Sequence, residues 1–148
     1  MTVDISRLGG LELLRLAMAG EIPRAPIADT MGMEMASIEE GEATFLVTPE
    51  QRHLNPLGTV HGGFYATALD SATGCAVHTL LGPGDTYGTI ELNVKMLKAV
   101  KLGTPNLRAT GRVLHLSRQL GVADGRIVDD DGTLYAHATA TCLIKRAG

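Results

Sequence analysis

The spacing of apolar residues changes period along the chain, and the changes mark out its elements. Leu8, Leu11, Leu14 or Leu16, and Met18 recur at near-helical spacing within residues 7–19. This predicts a short amphipathic helix that stops near Gly20 and Pro23. Residues 33–39 and 42–48 are extended runs on either side of Glu40-Gly41, which predicts a hairpin. Pro49 to Thr59 reads as a loop, with Asn55-Pro56 and Gly58 as turn signals. Over residues 62–80 the period is helical again. Gly62, Ala66, Leu69, Thr73, Ala76, Val77 and Leu80 share one stripe, while Ala68, Ala72 and Gly74 keep the other faces small. A helix so apolar all round is expected to be buried, with its small residues letting other elements wrap closely around it. Gly82-Pro83-Gly84 is its stop signal.

From there the period is two. Ile90, Leu92, Val94 and Met96 alternate with Glu91, Asn93 and Lys95, and Leu107, Ala109, Gly111 and Val113 alternate with Arg108, Thr110 and Arg112. Val122 to Val128 leads into Asp131-Gly132, a strong hairpin turn. Leu134, Ala136, Ala138, Ala140, Cys142 and Ile144 then alternate with Tyr135, His137, Thr139, Thr141 and Leu143. The small residues on one face of that strand suit contact with a central helix. Met31, Met33 and Met35 also stand at strand spacing and read as sheet packing. The pattern predicts an α+β layout, one long helix inside an antiparallel sheet. Without βαβ alternation, repeat or linker, residues 1–148 are expected to form one domain.

Composition narrows the classes. The chain has no Trp, 3 Tyr and 2 Phe, too few stacking platforms for single-stranded nucleic acid. No apolar run approaches the ~18 residues of a membrane span, and no basic-then-apolar leader opens the sequence. Two cysteines, Cys75 and Cys142, make neither a disulfide framework nor a metal knuckle. A reduced, cytoplasmic protein is expected. Charge is distributed unevenly: residues 1–94 carry 4 basic and 12 acidic side chains. Lys95, Lys98, Lys101, Arg108, Arg112 and Arg118 follow with no acid between residues 95 and 118. Such a segment is either the solvated face of strands or the seat of a phosphate-bearing ligand.

The chemistry concentrates between residues 53 and 70. Asp70 stands in the middle of the apolar helix, where a carboxylate is costly unless paired. It reads as a general base or nucleophile, or else as a residue on a solvated face. His61-Gly62-Gly63 begins the same helix. Free N–H groups there, approachable past two glycines, can hold an oxyanion, although a plain loop-to-helix junction has the same sequence. Gly62 and Asp70 are eight residues apart, about 12 Å at ~1.5 Å per residue, too far to serve one carbonyl. If both are catalytic, two antiparallel copies related by a two-fold axis must share the site.

Asn55-x5-His61-Gly62-Gly63-x6-Asp70, on a loop leading into a long helix, resembles the hotdog-fold acyl-CoA thioesterases of the phenylacetate-degradation type. The resemblance spans nearly the whole chain. It implies a five- or six-stranded antiparallel sheet around the helix, dimers and often tetramers, and acyl- or aryl-CoA substrates. By that resemblance the Gly62 N–H polarises the thioester carbonyl, with Gly63 beside it, and Asp70 is the base or nucleophile. Asn55 and His61 would orient the catalytic groups, Thr89 would place a hydroxyl near the site, and Arg118 would meet the nucleotide phosphates. Met31, Met33 and Met35 could border an acyl pocket. No cofactor is implied beyond the CoA of the substrate, and His78, His115 and His137 lack metal-ligand spacing. Two other functions stay open: hydration or dehydration of a 3-hydroxyacyl thioester, and acyl-CoA binding without catalysis.

Overall fold

The computed structural model describes residues 2–148. A 3₁₀ turn (Ile5–Arg7) precedes helix α1 (Gly10–Met18) and helix α2 (Pro26–Met31). The hairpin β1 (Met33–Glu39) and β2 (Glu42–Val47) follows, then a 3₁₀ turn (Gln51–His53), the long helix α3 (Gly62–His78) and strand β3 (Thr86–Met96). Three more strands complete the sheet: β4 (Leu107–Leu116), β5 (Leu120–Val128) and β6 (Leu134–Lys145). The strand order is β1-β2-β4-β5-β6-β3, antiparallel throughout. The expected α+β layout is therefore the observed one.

The sheet curls around α3 at backbone contact distance, and small residues permit it. Ala136 and Ala138 of β6 are buried in one cluster with Ala68, Leu69, Ala72 and Ala76 of the helix. The closest approach is at Gly111 of β4. A Cβ there would lie 2.3 Å from the carbonyl oxygen of Ala72 and 2.6 Å from the nitrogen of Thr73. Gly121 and Gly125 of β5 meet Val77, Thr73 and Leu69 in the same way. Along the middle of β6 the inward positions are alanines, small enough for the groove.

Several expectations need correction. The first helix starts at Gly10, not residue 7, because Asp4 caps a separate 3₁₀ turn. A second helix, Pro26–Met31, occupies a stretch that carries no periodic signal. Pro26 initiates it, and Gly32 ends it in the left-handed conformation at φ 61°. Met31 therefore belongs to α2 and only Met33 and Met35 to the sheet. The alternation on β3 is broken by a bulge between Thr89 and Glu91. Ile90 is left 61% exposed, while Tyr87, Thr89, Leu92 and Val94 turn toward the helix, and Met96 at the strand's end keeps that face with its thioether beside Gly62. The bulge adds one residue and reverses the facing of everything after it.

The basic segment is also less free than its sequence suggests. Arg112 pairs with Glu42 of β2 at 2.9 Å, Arg108 with Asp130 at 3.2 Å, and the Lys98 ammonium lies over the Tyr135 ring. No helix among the described residues is long and apolar enough to cross a membrane.

Candidate active site

The loop before α3 is organised by Asn55. Its carbonyl oxygen accepts from the N–H groups of Leu57 (3.0 Å) and Thr59 (3.2 Å), and its amide donates to the Thr59 hydroxyl at 2.8 Å. The turn delivers the chain to His61, whose backbone N–H donates to the His53 carbonyl at 2.9 Å. His53 is buried and fastens the loop from beneath. Its Nδ1 accepts from Glu50 N–H and its Nε2 donates to the Thr30 carbonyl, each within 3 Å.

His61 is the N-cap of α3. Its Nδ1 accepts from the Gly63 N–H at 2.8 Å, which leaves the ring proton on Nε2. The Phe64 N–H donates to the His61 carbonyl. The Gly62 N–H is thereby the donor of the first turn that has no acceptor among the described residues. It sits at the positive end of the helix dipole. The space where its side chain would be is bordered by the Met96 thioether, 3.1 Å from a Cβ placed there. Gly62 and Gly63 are partly exposed.

Asp70 lies two turns further along α3. Its Oδ1 is buried and has no hydrogen-bond partner among the described residues. A buried carboxylate oxygen without a partner costs free energy, so the fold leaves a strong acceptor unspent at this point. Around it stand Cys75, Tyr87 and Cys142. Burial pushes the Cys75 thiol up to about 12, and the negative charge of Asp70 adds to the rise. Burial raises the Tyr87 phenol and the Cys142 thiol as well, with a further contribution from Asp70. The shifts favour the protonated thiols over the nucleophilic thiolates. Thr89 joins the group, with its hydroxyl 3.8 Å from the Cys142 sulfur.

The predicted residues thus fall into separate sets. Asn55, His61, Gly62 and Gly63 form a loop-and-helix-start unit. Asp70 stands in the middle of the same helix, and Thr89 on β3 beside Cys142. Eight residues of α3, about 12 Å, divide Gly62 from Asp70 within one chain. Arg118 is further off, exposed on the β4–β5 turn at the end of the sheet where α3 finishes. Its carbonyl accepts from Arg146 Nε at 3.0 Å, and Arg146 is itself bound to Asp85. The Arg118 guanidinium is unpaired among the described residues. It borders a cleft of about 390 Å³ with Gln119, Lys145 and Arg146. Tyr87 had no signal in the sequence: it lies beside Asp70 because the helical Gly74 leaves room for its ring, 3.1 Å from a Cβ placed there.

Comparison with known proteins fits this arrangement. Residues 57–136, which include the α3 start and Asp70, match the Thioesterase superfamily. A phenylacetic acid degradation-related protein from Ralstonia eutropha JMP134 is 30% identical, with a TM-score of 0.79 over 87% of this chain and 97% of that one. The PaaI protein from the E. coli phenylacetic acid degradation operon has the same fold, with 24% identity, a TM-score of 0.79, and 98% and 97% of the two chains covered. A 1,4-dihydroxy-2-naphthoyl-CoA hydrolase from Listeria monocytogenes is 22% identical over 81% of this chain and 96% of its own. With the long helix wrapped by a six-stranded antiparallel sheet, these matches place the chain in the thioesterase superfamily, as a hotdog-fold member.

Proposed function

We propose that this chain hydrolyses acyl- or aryl-CoA thioesters, without a metal or redox cofactor, at a site shared by two copies. The observation that carries the reading is the buried Oδ1 of Asp70, without a partner among the described residues, on a helix whose own Gly62 N–H, likewise without one, is about 12 Å away. A two-fold axis that sets two α3 helices antiparallel brings Gly62 of the partner subunit to Asp70. Strand β3 supports such a pairing. It is an 11-residue sheet edge, with Ile90 61% and Met96 51% exposed along it.

The chemistry follows from the two groups. The N–H of Gly62 of the partner subunit donates to the thioester oxygen and holds it as charge develops there. Asp70 takes a proton from a water whose oxygen bonds to the carbonyl carbon, or its carboxylate forms that bond itself and water later cleaves the anhydride. In either route the adduct collapses with cleavage of the C–S bond, which in the second route is the step that forms the anhydride; the sulfur leaves as thiolate and is protonated, and the products are a free acid and CoA thiol. In this reading the Thr89 hydroxyl binds the water or the acid. Arg118, unpaired and exposed, suits the nucleotide phosphates.

The test is release of CoA thiol from a panel of aryl- and fatty acyl-CoA thioesters, with and without EDTA. Turnover unaffected by the chelator is expected; activity that vanishes with EDTA and returns with zinc would overturn the cofactor-free mechanism. Single turnover in H₂¹⁸O then separates the two roles of Asp70. A general base gives product acid carrying solvent oxygen, whereas a nucleophile whose anhydride is cleaved at the aspartyl carbonyl passes one of its own oxygens to the first product.

A further inference from the structure

Met96 ends β3, and its thioether reaches the start of α3. The sulfur lies 3.1 Å from where a Cβ of Gly62 would be. The chain just beyond Met96 is pinned to the same helix. The Tyr65 hydroxyl donates to the Lys98 carbonyl at 3.0 Å and accepts from the Val100 N–H at 2.8 Å. The Leu97 N–H donates to the Tyr135 carbonyl at 2.8 Å. These bonds hold the backbone on both sides of the contact, so the sulfur stays beside Gly62. A thioether is a weak acceptor, and the Gly62 N–H next to it, without an acceptor among the described residues, remains available to a ligand.

Met96 is also the most exposed methionine among the described residues. It is 51% exposed, against 40% for Met18 at the end of α1, while Met31 and Met35 are partly covered and Met33 is buried. The two cysteines compete poorly for an oxidant. Peroxides react with thiolates, and burial favours the protonated forms of Cys75 and Cys142. A thioether needs no deprotonation before it reacts. Any opening that admits a thioester to the Gly62 N–H also admits a peroxide to the sulfur beside it.

We propose that Met96 is a site of reversible oxidation by peroxides, and that its sulfoxide occupies the Gly62 N–H. Its effect on activity rests on the proposed thioesterase reading. With hydrogen peroxide, a sulfur lone pair attacks one oxygen and the O–O bond breaks. The other oxygen leaves as water with both protons. The sulfur is oxidised by two electrons and the peroxide is reduced by two. The new oxygen is a strong acceptor one bond from the sulfur. It takes the hydrogen bond that the thioester oxygen needs. Loss of one oxyanion donor lowers turnover by about 10²–10³-fold. Methionine sulfoxide reductases, one for each sulfoxide epimer, return the thioether.

The test treats the full chain with hydrogen peroxide and follows CoA-thiol release alongside Met96 sulfoxide occupancy by mass spectrometry. Activity should fall in step with that occupancy, by tenfold or more at full conversion, and the two reductases should restore it. Met96→Leu, compared with its own untreated rate, should keep that rate through the same treatment. Full oxidation of Met96 with more than half the activity left would overturn the proposal. So would a Met96→Leu protein that loses activity as fast as wild type, or recovery with dithiothreitol alone, which would assign the loss to a cysteine. The Gly62 amide resonance in ¹⁵N spectra gives a readout that needs neither variant nor turnover. Oxidation should move it downfield and slow its exchange with solvent, and an unchanged resonance at full Met96 oxidation would overturn the proposal. Should the protein cleave no CoA thioester at all, the thioesterase reading fails, and the amide resonance decides on its own whether the sulfoxide takes the Gly62 N–H.

Discussion

Replacing Asp70 by Asn should make the protein less active and more stable at once. The side chains are nearly isosteric, so the packing of α3 against the sheet is preserved. What changes is the charge and the basicity of an oxygen that is buried without a partner among the described residues. As base or nucleophile, that oxygen contributes at least ~10²-fold to turnover, or about 3 kcal/mol of transition-state stabilisation. The loss should fall on kcat, with KM changed little. Stability should move the other way. An unpaired buried polar group costs about 1–3 kcal/mol, and the neutral amide is cheaper to bury than the carboxylate. The gain should reach roughly 1–2 kcal/mol, because Asp70 is only partly covered. At roughly 2–4 °C per kcal/mol for a chain of this size, thermal unfolding should shift upward by several degrees. The assays are CoA-thiol release under saturating substrate and urea unfolding of the same preparations. A variant that keeps more than about a tenth of wild-type turnover would refute the catalytic role. A variant that is inactive but less stable would refute the claim that the carboxylate is held at a cost.

The shared site can be tested with mixed dimers of Asp70→Ala and Asn55→Ala chains carrying different tags. One site of each mixed dimer receives both lesions and the other neither, so about half of wild-type activity should return; a folded but inactive mixed dimer would exclude the pairing. Arg118→Ala should raise KM for acyl-CoA while sparing a short thioester that lacks the nucleotide, and equal losses on both would remove Arg118 from the phosphate role. Gly111→Ala places a Cβ 2.3 Å from the Ala72 carbonyl oxygen, and backbone cannot rotate away. Its unfolding free energy should drop by about 3 kcal/mol or more, and a change under 0.5 kcal/mol in urea would show that the strand can yield. His78 carries a pKa lowered by burial, so below about pH 6.5 the unfolded chain binds a proton that the folded chain does not. Its presence costs stability as pH falls through that window, and His78→Phe should flatten the stability profile there; an unchanged profile would contradict the shift.

Much of the molecule was legible from residue order alone. The hairpin at Glu40-Gly41, the central helix and the alternating strands are local patterns. Period and turn chemistry determine them before any distant contact forms. The spacing of Gly62 and Asp70 was equally local, since helix rise converts eight residues into a length. Other features needed the fold. Helix α2 has too few residues for a periodic signal and is held by its Pro26 start, its Gly32 end and its packing. The bulge at Ile90 depends on pairing between β3 and β6, so strict alternation put Ile90 on the wrong face. The run of six cations between residues 95 and 118 contains no acid, but Glu42 and Asp130 arrive from distant strands and turns to neutralise two of them. Charge acts through space, so a net charge along the chain does not say which cations remain free. The same holds for the site. Asp70 could be named from its apolar neighbours in sequence. That its Oδ1 lacks a partner among the described residues, and that Tyr87 and Cys142 stand near it, depended on β3 crossing to the far edge of the sheet and on Gly74 leaving room for a ring. Sequence determines which groups can do chemistry, and packing decides which of them meet and which stay unsatisfied.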